Sequence, residues 1–403
     1  MNNKQYFQRN IKLLYVLSFL NYLWFWLAIW VFYYLLFTNY AGVGMIETAM
    51  IISMVIFEVP SGVLADLLGK KKVLILAFLA VAISEFVMSG ALNFWMLIIS
   101  ASIGSLGTTM VSGTFEAITY DSLKEIGKEK LYEQILAKQR SIGYVANALA
   151  TIVGGYIYVH YNNRLPFFLV GLVSIGSVMV ALFLKEPKTH SKLDQRIFSW
   201  KAYWKQFKDG FQHLFSSVKL KSIVILLLVA GVTPLFMYEM VEDLILVNYG
   251  ATAREVSIEI VLGLIASVIL VHLSRFITRK LGSLKSFVGI TLLYGITLLI
   301  LSSVNLYGAI LLIVFLESII SINKVIHSKI LNDQISSRYR ATSLSTFNML
   351  LSIPYIFMAA WLGYLFDGYG ARKVVFALGT TMIAGVVLAI INFYWRNGKS
   401  KNA

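Results

Sequence analysis

The sequence predicts an all-α polytopic membrane protein, on the evidence of its composition and of twelve long apolar segments. Of its 403 residues, 58% are hydrophobic and only 14% are charged, and the mean hydropathy is +0.74. A soluble domain is closer to half apolar and a quarter charged, and its interior cannot hold a much larger apolar excess. The composition therefore excludes an ordinary soluble enzyme and a disordered chain.

Each apolar segment is long enough to cross a bilayer, which takes about 20 helical residues. The bilayer interior holds no water to satisfy backbone groups, so each span must be helical. The first segment is too long for a signal-peptide core and lacks a small-residue cleavage site after it. The predicted spans are 13–37, 43–66, 73–92, 94–121, 134–160, 165–184, 221–248, 256–275, 284–303, 305–331, 341–366 and 373–395.

The longest loop, 185–220, divides these spans into an N-terminal half at 1–184 and a C-terminal half at 221–403. Within the loop, apolar residues recur every three or four positions with lysines between them, which predicts a basic amphipathic helix. Its apolar positions are Trp200, Trp204, Phe207, Phe211, Leu214 and Val218. This helix either lies on the inner leaflet, attracted by anionic lipid, or packs against the helix bundle.

The basic residues lie mostly on one side of the predicted spans. Both termini and every second loop together hold 30 of the 35 Lys and Arg residues. Cytoplasmic loops are enriched in Lys and Arg, so this asymmetry predicts a plasma-membrane protein with both termini in the cytoplasm. The net charge of +15 is explained in the same way, and no nucleic-acid partner is inferred.

The link between the second and third spans carries the pattern Gly-x-x-x-Asp-x-x-Gly-Lys-Lys, formed by Gly62, Asp66, Gly69, Lys70 and Lys71. Glycine at the first position permits close helix approach, and glycine at the second permits a tight turn. The pattern closely resembles the signature of the major facilitator superfamily. The resemblance extends over nearly the whole chain, through the helix count, the basic central loop and the cytoplasmic termini.

The resemblance implies two six-helix halves, each built from inverted triplets, that enclose one cavity and transport by alternating access. In this family the acid at the position of Asp66 engages the start of helix 11 and closes an inner gate. We extend this to a hypothesis: Asp66, Asp121, Lys70 and Arg140 form an inner electrostatic latch that stabilises the outward-open state.

The chain departs from proton-driven members of the family at three places. Leu67 replaces the arginine that often follows the motif aspartate, and the fourth span carries no arginine. The small residues of the antiporter pattern in helix 5 are present, but its proline is absent. The small-residue positions are Ala146, Ala150, Thr151, Gly154 and Gly155.

Acidic residues within the spans are candidates for proton coupling, because an ionisable group in hydrocarbon is expensive. The candidates are Glu58, Glu116, Glu239 and Glu317. The resemblance places helices 1, 4, 7 and 10 around the cavity, which favours the last three. The alternative for Glu317 is a structural ion pair with Lys324, seven residues further along the same face.

Helix 1 carries aromatic residues every three or four positions from Tyr15 to Phe37. Interfacial belts explain the ends of this row but not its middle. If the row faces the cavity, it provides a stacking and cation–π surface for a flat substrate; the alternative is packing. The predicted cavity residues are Asn21, Tyr22, Trp26, Trp30, Tyr33, Glu242 and Asp243, and the last two are alternatively a hydrated outer rim.

These features predict a monomeric secondary transporter for proton-coupled efflux of amphipathic or drug-like small molecules, with protons and the lipid bilayer as its other partners. A nutrient or metabolite symporter and a lipid flippase are the alternatives. No cofactor or metal is expected, because cysteine is absent and the five histidines are scattered. No enzymatic motif or nucleotide-binding loop is found.

Overall fold

The computed structural model describes residues 3–187, 200–335 and 340–399, and this part of the chain is helical without β-strands. The helices of the N-terminal part are α1 (Asn3–Asn21), α2 (Trp30–Tyr34), α3 (Tyr40–Leu68), α4 (Lys70–Ser89), α5 (Phe94–Lys124), α6 (Tyr132–His160) and α7 (Leu165–Leu182). Those of the C-terminal part are α8 (Trp200–Leu214), α9 (Val218–Phe236), α10 (Glu242–Asn248), α11 (Ala253–Leu270), α12 (Leu273–Leu281), α13 (Ser283–Leu301), α14 (Leu306–Gln334) and α15 (Arg340–Lys399).

The all-α membrane class is confirmed. Among the described residues, nine helices are long and apolar enough to cross a membrane, or ten if α11 and α12, bent by 49°, count as one span. The twelve predicted spans exceed this number for two reasons. Helix α15 contains two of them, joined at Gly370, whose positive φ of 75° interrupts the helical backbone. The first predicted span is divided between α1 and α2.

That division corrects the expectation of a continuous first helix. Between α1 and α2 the chain forms a series of turns, with Trp24 N–H donating to Tyr22 O at 2.9 Å and Phe25 N–H donating to Leu23 O at 3.2 Å. Helix α6 packs against this segment through glycine: a Cβ built on Gly154 would overlap the carbonyl oxygen of Phe25. Irregular backbone at membrane depth is tolerated where protein covers it or where it lines a cavity.

The chain separates into two compact units, Met1–Ser199 and Trp200–Ala403. In the first unit, the core joins α1, α4, α5 and α7 through residues such as Leu14, Leu74, Phe78 and Ile118, all of them buried. The assignment of 1–184, 185–220 and 221–403 as two halves and a cytoplasmic loop stays a prediction.

Helix α8 belongs to the second unit and packs against α15. Gly210 makes this approach possible, because a Cβ at this position would overlap the side chain of Thr346. Leu214 is fully buried, whereas Trp204 is 61% exposed. The packed arrangement considered for the amphipathic helix is therefore present, and the exposed aromatic side leaves contact with the inner leaflet as a prediction.

Candidate functional site

Three glutamates come together in the second unit, each from a different helix: Glu242 of α10 and Glu259 of α11, which are buried, and Glu317 of α14, which is half-buried. We call them the carboxyl triad. Glu242 is 7% exposed and Glu259 is 3% exposed. In the described part of the chain, Glu242 Oε1, Glu259 Oε1 and Glu317 Oε2 are buried without a hydrogen-bond partner. Each carboxyl group lies within the electrostatic field of the others.

Local irregularities bring the carboxyl triad together. Pro234 near the end of α9 precedes a single π-helical turn, Met237–Val241, after which α10 begins at Glu242. A π-helical turn inserts a residue into the helical repeat, and such turns often occur at functional sites. On α11, Gly263 lies one turn after Glu259 and faces α14, where a Cβ would overlap Glu317 Oε2. Only glycine leaves room for this carboxyl group.

Lys324 of α14 brings a positive charge to these acids, and it interacts electrostatically with Glu239, Glu242 and Glu317. Its Nζ atom lies 4.2 Å from the centroid of the Tyr238 ring. A cation over a ring face gains a further favourable interaction. The ammonium group of Lys324 therefore interacts both with the acidic residues and with an aromatic ring of the π-helical turn.

A cavity of about 150 Å³ lies beside this cluster and is lined by α9, α13, α14 and α15. Its wall is largely apolar, with Pro234, Phe287 and Leu351 among the lining residues. Its polar lining residues are Tyr238, Glu239, Tyr294, Asn323, Lys324 and His327. In the described residues, the Tyr294 hydroxyl, Asn323 Oδ1 and His327 Nε2 have no hydrogen-bond partner. The cavity therefore offers polar groups to a small ligand within an apolar wall.

The motif link forms a second polar cluster, at the end of the first unit predicted to be cytoplasmic. Lys70 pairs with Asp121. The backbone N–H groups of Lys70 and Lys71 each donate to the Glu186 carboxylate at 2.8 Å. Gly69 turns the chain with a φ of 90°. The carboxylate therefore caps the start of α4, where free N–H groups favour an anion.

Of the described residues of the hypothetical latch, Lys70 pairs with Asp121, whereas Arg140 pairs with Glu116. Arg140 donates to Glu116 at 3.1 Å, and these side chains are 57% and 47% exposed. Glu116, a predicted proton-coupling residue, thus has a cation partner on α6. The side chain of Asp66 lies outside the described residues. A Cβ at Gly62 would meet nothing within 4 Å in the described part, so the predicted close approach there is not found.

The structure places the other predicted proton-coupling residues as follows. Glu58 is exposed on α3. Glu239 lies in the π-helical turn and lines the cavity. Glu242 belongs to the carboxyl triad, and Asp243 interacts electrostatically with it, which favours the cluster over a hydrated rim. The functional role of every one of these residues stays a prediction.

The predicted aromatic row of helix 1 does not share one face. Trp30 and Tyr33 lie in the core of the first unit, where the Tyr33 hydroxyl donates to Met88 O at 2.7 Å. Tyr22 and Trp26 lie in the irregular segment and Asn21 ends α1; these three are half-buried. Trp26 Nε1 donates to Glu85 Oε1 at 2.9 Å.

The sequence analysis did not include Glu259, Glu186 or Glu85 among the site residues. The sequence could have indicated Glu259, because it is an acidic residue within a predicted span. No sequence feature indicated Glu186, since it lies beyond the last predicted span of the N-terminal half and its partners are backbone groups.

The sequence is similar to those of two bacterial drug-resistance proteins. Quinolone resistance protein NorA of Staphylococcus aureus (strain MRSA252) is 27% identical over 173 residues, which are 41% of this chain and 43% of that protein. The chain thus spans less than half the length of this relative. Multidrug resistance protein 1 of Bacillus subtilis (strain 168) is 25% identical over 281 residues, covering 68% of this chain and 67% of that protein.

The fold is similar to that of solved transporter structures. The crystal structure of nucleoside transporter NupG matches with a TM-score of 0.79 at 18% identity, covering 98% of this chain and 99% of that chain. Such low identity shows the fold alone. The sequence profile of the Major Facilitator Superfamily matches residues 13–354, most of the chain and all of its signature motif. This chain is therefore a multi-pass membrane transporter that belongs to the Major Facilitator Superfamily.

Proposed function

We propose that the protein lies in the plasma membrane with both termini in the cytoplasm. There it exports amphipathic, drug-like small molecules in exchange for protons. The carboxyl triad is the observation that carries this proposal. An unpartnered carboxylate in a low-dielectric environment is expensive, and it is satisfied either by a proton or by a cation. Three such groups close together compete for protons as one coupled set.

The cavity beside the triad supports the choice of substrate. Its wall is mostly apolar, which suits an amphipathic compound, and Glu239 adds an acidic group at its edge. Lys324 connects the two sites, because it lies at the cavity and in the field of Glu242 and Glu317. A change in the charge of the triad therefore alters the potential felt by a molecule in the cavity. This is a direct physical route for coupling substrate to protons.

The names of the matched relatives support efflux of drugs over uptake of nutrients. Quinolone resistance and multidrug resistance both describe proteins that act on drug-like compounds. Most of the residues lining the cavity are apolar, which suits an amphipathic compound better than a polar sugar. Efflux of an amphipathic molecule is thus the function that agrees with both the cavity and the relatives.

Proton flux in proteoliposomes tests the proposal. Vesicles with an acidic lumen receive the purified protein, and a cationic dye such as ethidium is added outside. Antiport predicts that the dye makes the lumen more alkaline, and we expect Glu317→Gln to lower this flux at least tenfold. Glu129→Gln, which changes an exposed glutamate of the first unit, serves as the control and should retain the flux.

Two results would overturn the proposal. One is dye transport by the wild-type protein without any proton movement, which would favour a uniporter or a flippase. The other is an unchanged proton flux in Glu242→Gln, Glu259→Gln and Glu317→Gln. Acidification of the lumen on addition of substrate would instead indicate symport.

A further inference from the structure

The first unit contains a half-buried acid, Glu85, that the proposed proton coupling does not use. Glu85 of α4 accepts a hydrogen bond from Trp26 through Oε1, while its Oε2 is buried and has no hydrogen-bond partner in the described residues. In this part of the chain no lysine or arginine forms a salt bridge with Glu85. A carboxylate in a membrane protein without a compensating cation is an unusual and expensive arrangement.

Three aromatic rings lead to this carboxylate. Tyr22 and Trp24 stack with ring centroids 5.4 Å apart and an interplanar angle of 14°. Trp24 and Trp26 stack with centroids 5.9 Å apart and an angle of 4°. We call these three rings the aromatic ladder. All three are half-buried, so the row has ring surface that is not covered by the first unit, and it ends at Glu85.

The break in the first helix creates the aromatic ladder. Successive helical residues are 100° apart, so positions i and i+2 in a continuous helix point in nearly opposite directions. Trp24 would then lie away from Tyr22 and Trp26. In the irregular segment, i to i−2 hydrogen bonds hold the backbone extended enough for alternate side chains to lie on one side. The stack therefore exists only because this segment is not helical.

Helix α6 holds the ladder in place. A Cβ on Gly143 would lie 2.7 Å from the Tyr22 ring, so glycine allows the ring to pack against α6. Tyr144 contacts the same ring edge-on, with centroids 6.4 Å apart. Asn147 donates to the backbone oxygen of Tyr22 at 3.4 Å. Contacts on several sides preorganise the first ring and, through stacking, the two rings that follow.

We propose that the aromatic ladder and Glu85 form a recognition site for flat aromatic cations in the first unit, separate from the carboxyl triad. A ring face attracts a cation through its quadrupole, most strongly for tryptophan. A flat aromatic molecule fits a row of parallel rings better than a bulky aliphatic one does. Glu85 supplies the opposite charge, and the indole N–H of Trp26 is the group that a ligand displaces from it. The inference rests on the proposed function, since it takes the proposed class of transported compound as the ligand and adds a second site for it, in the first unit.

Binding of ethidium to the purified protein in detergent, followed by fluorescence polarisation, tests the site without any proton gradient. A neutral phenanthridine of the same shape serves as the uncharged probe, measured by its displacement of ethidium. We expect Glu85→Gln to weaken ethidium binding about tenfold and to change binding of the neutral probe less than twofold. Trp24→Leu, which removes the middle ring, should weaken both about tenfold.

Two controls separate this site from the rest of the protein. Trp95→Leu changes a tryptophan that is 68% exposed elsewhere in the first unit and should bind ethidium as the wild type does. Glu317→Gln should lose proton coupling and still bind ethidium, so a failure of the proposed function is distinguished from a failure of the site. Wild-type affinity for ethidium in folded Glu85→Gln would overturn the inference. If that variant does not fold, wild-type affinity in Trp24→Leu would overturn it instead.

Discussion

The carboxyl group of Glu317 occupies the space in which any side chain at position 263 would begin. The two residues belong to neighbouring helices, α14 and α11, and their contact brings Glu317 beside Glu259, one turn earlier on α11. The carboxyl triad thus depends on the absence of a side chain as well as on three acids. This dependence gives a test that changes none of the acids.

Gly263→Ala should displace the Glu317 carboxyl group and reduce substrate-driven proton flux at least tenfold. The added methyl overlaps Glu317 Oε2, so the side chain must change its rotamer or the helices must separate. Gly289→Ala on α13 is the matched control, because a Cβ there would meet nothing within 4 Å. Flux and dye binding are measured together in proteoliposomes. An unchanged flux in Gly263→Ala would show that the position of Glu317 does not matter for coupling.

Gly154→Ala should destabilise the first unit by about 1–3 kcal/mol, the usual range for overpacking. Its Cβ would overlap the carbonyl oxygen of Phe25, and neither backbone can move away as a flexible side chain could. Unfolding in mixed micelles with increasing SDS measures the change. Gly176→Ala on α7 should cause no loss, since that position is open. Equal stability of the two variants would contradict the close packing of α6 on the broken segment.

The two salt bridges in the described part of the first unit should differ in strength. Side chains of Lys70 and Asp121 are 15% and 23% exposed, whereas those of Arg140 and Glu116 are about half exposed. Double-mutant cycles with alanine should give a coupling energy of about 1–2 kcal/mol for the first pair and below about 0.5 kcal/mol for the second. Salt should weaken only the second pair markedly. The reverse order would show that exposure does not control these interactions.

Asn10→Ala should destabilise the first unit by about 1–3 kcal/mol. The Asn10 side chain is fully buried; it donates to Lys185 O at 2.8 Å and accepts from Lys185 N–H at 2.9 Å. Alanine leaves both backbone groups without these partners, and an unsatisfied buried group is expensive. Asn332→Ala, which removes bonds within a single helix turn, should change stability by only a few tenths of a kcal/mol. Denaturation in the same SDS titration compares them, and equal losses would refute the special role of Asn10.

Hydropathy predicted the helices well, because burial in a bilayer depends mainly on how apolar a segment is. The break after Asn21 was not predictable in the same way. The segment contains neither proline nor glycine, and its aromatic residues follow a helical spacing. The glycines that accommodate it, Gly143 and Gly154, lie on α6, more than a hundred residues further along the chain. A tertiary contact therefore overrides the local pattern.

The candidate site was predicted in part for a related reason. Acidic residues within spans were recognised, and Glu317 and Glu242 both belong to the carboxyl triad. Glu259 was not predicted as a site residue, because its helix was not among those expected to surround the cavity. Glu116 of α5 pairs with Arg140 of α6, a contact that spacing along one helix does not indicate. Sequence spacing indicates neighbours along a helix and says nothing about neighbours across helices.

The carboxylate of Glu186 ties the exit of the first unit to the start of α4, through the N–H groups of Lys70 and Lys71. The segment that connects the two units begins just after Glu186. A residue outside the signature motif therefore helps to hold the backbone of that motif, and a change at Glu186 should alter the signature loop without replacing any residue of the motif itself.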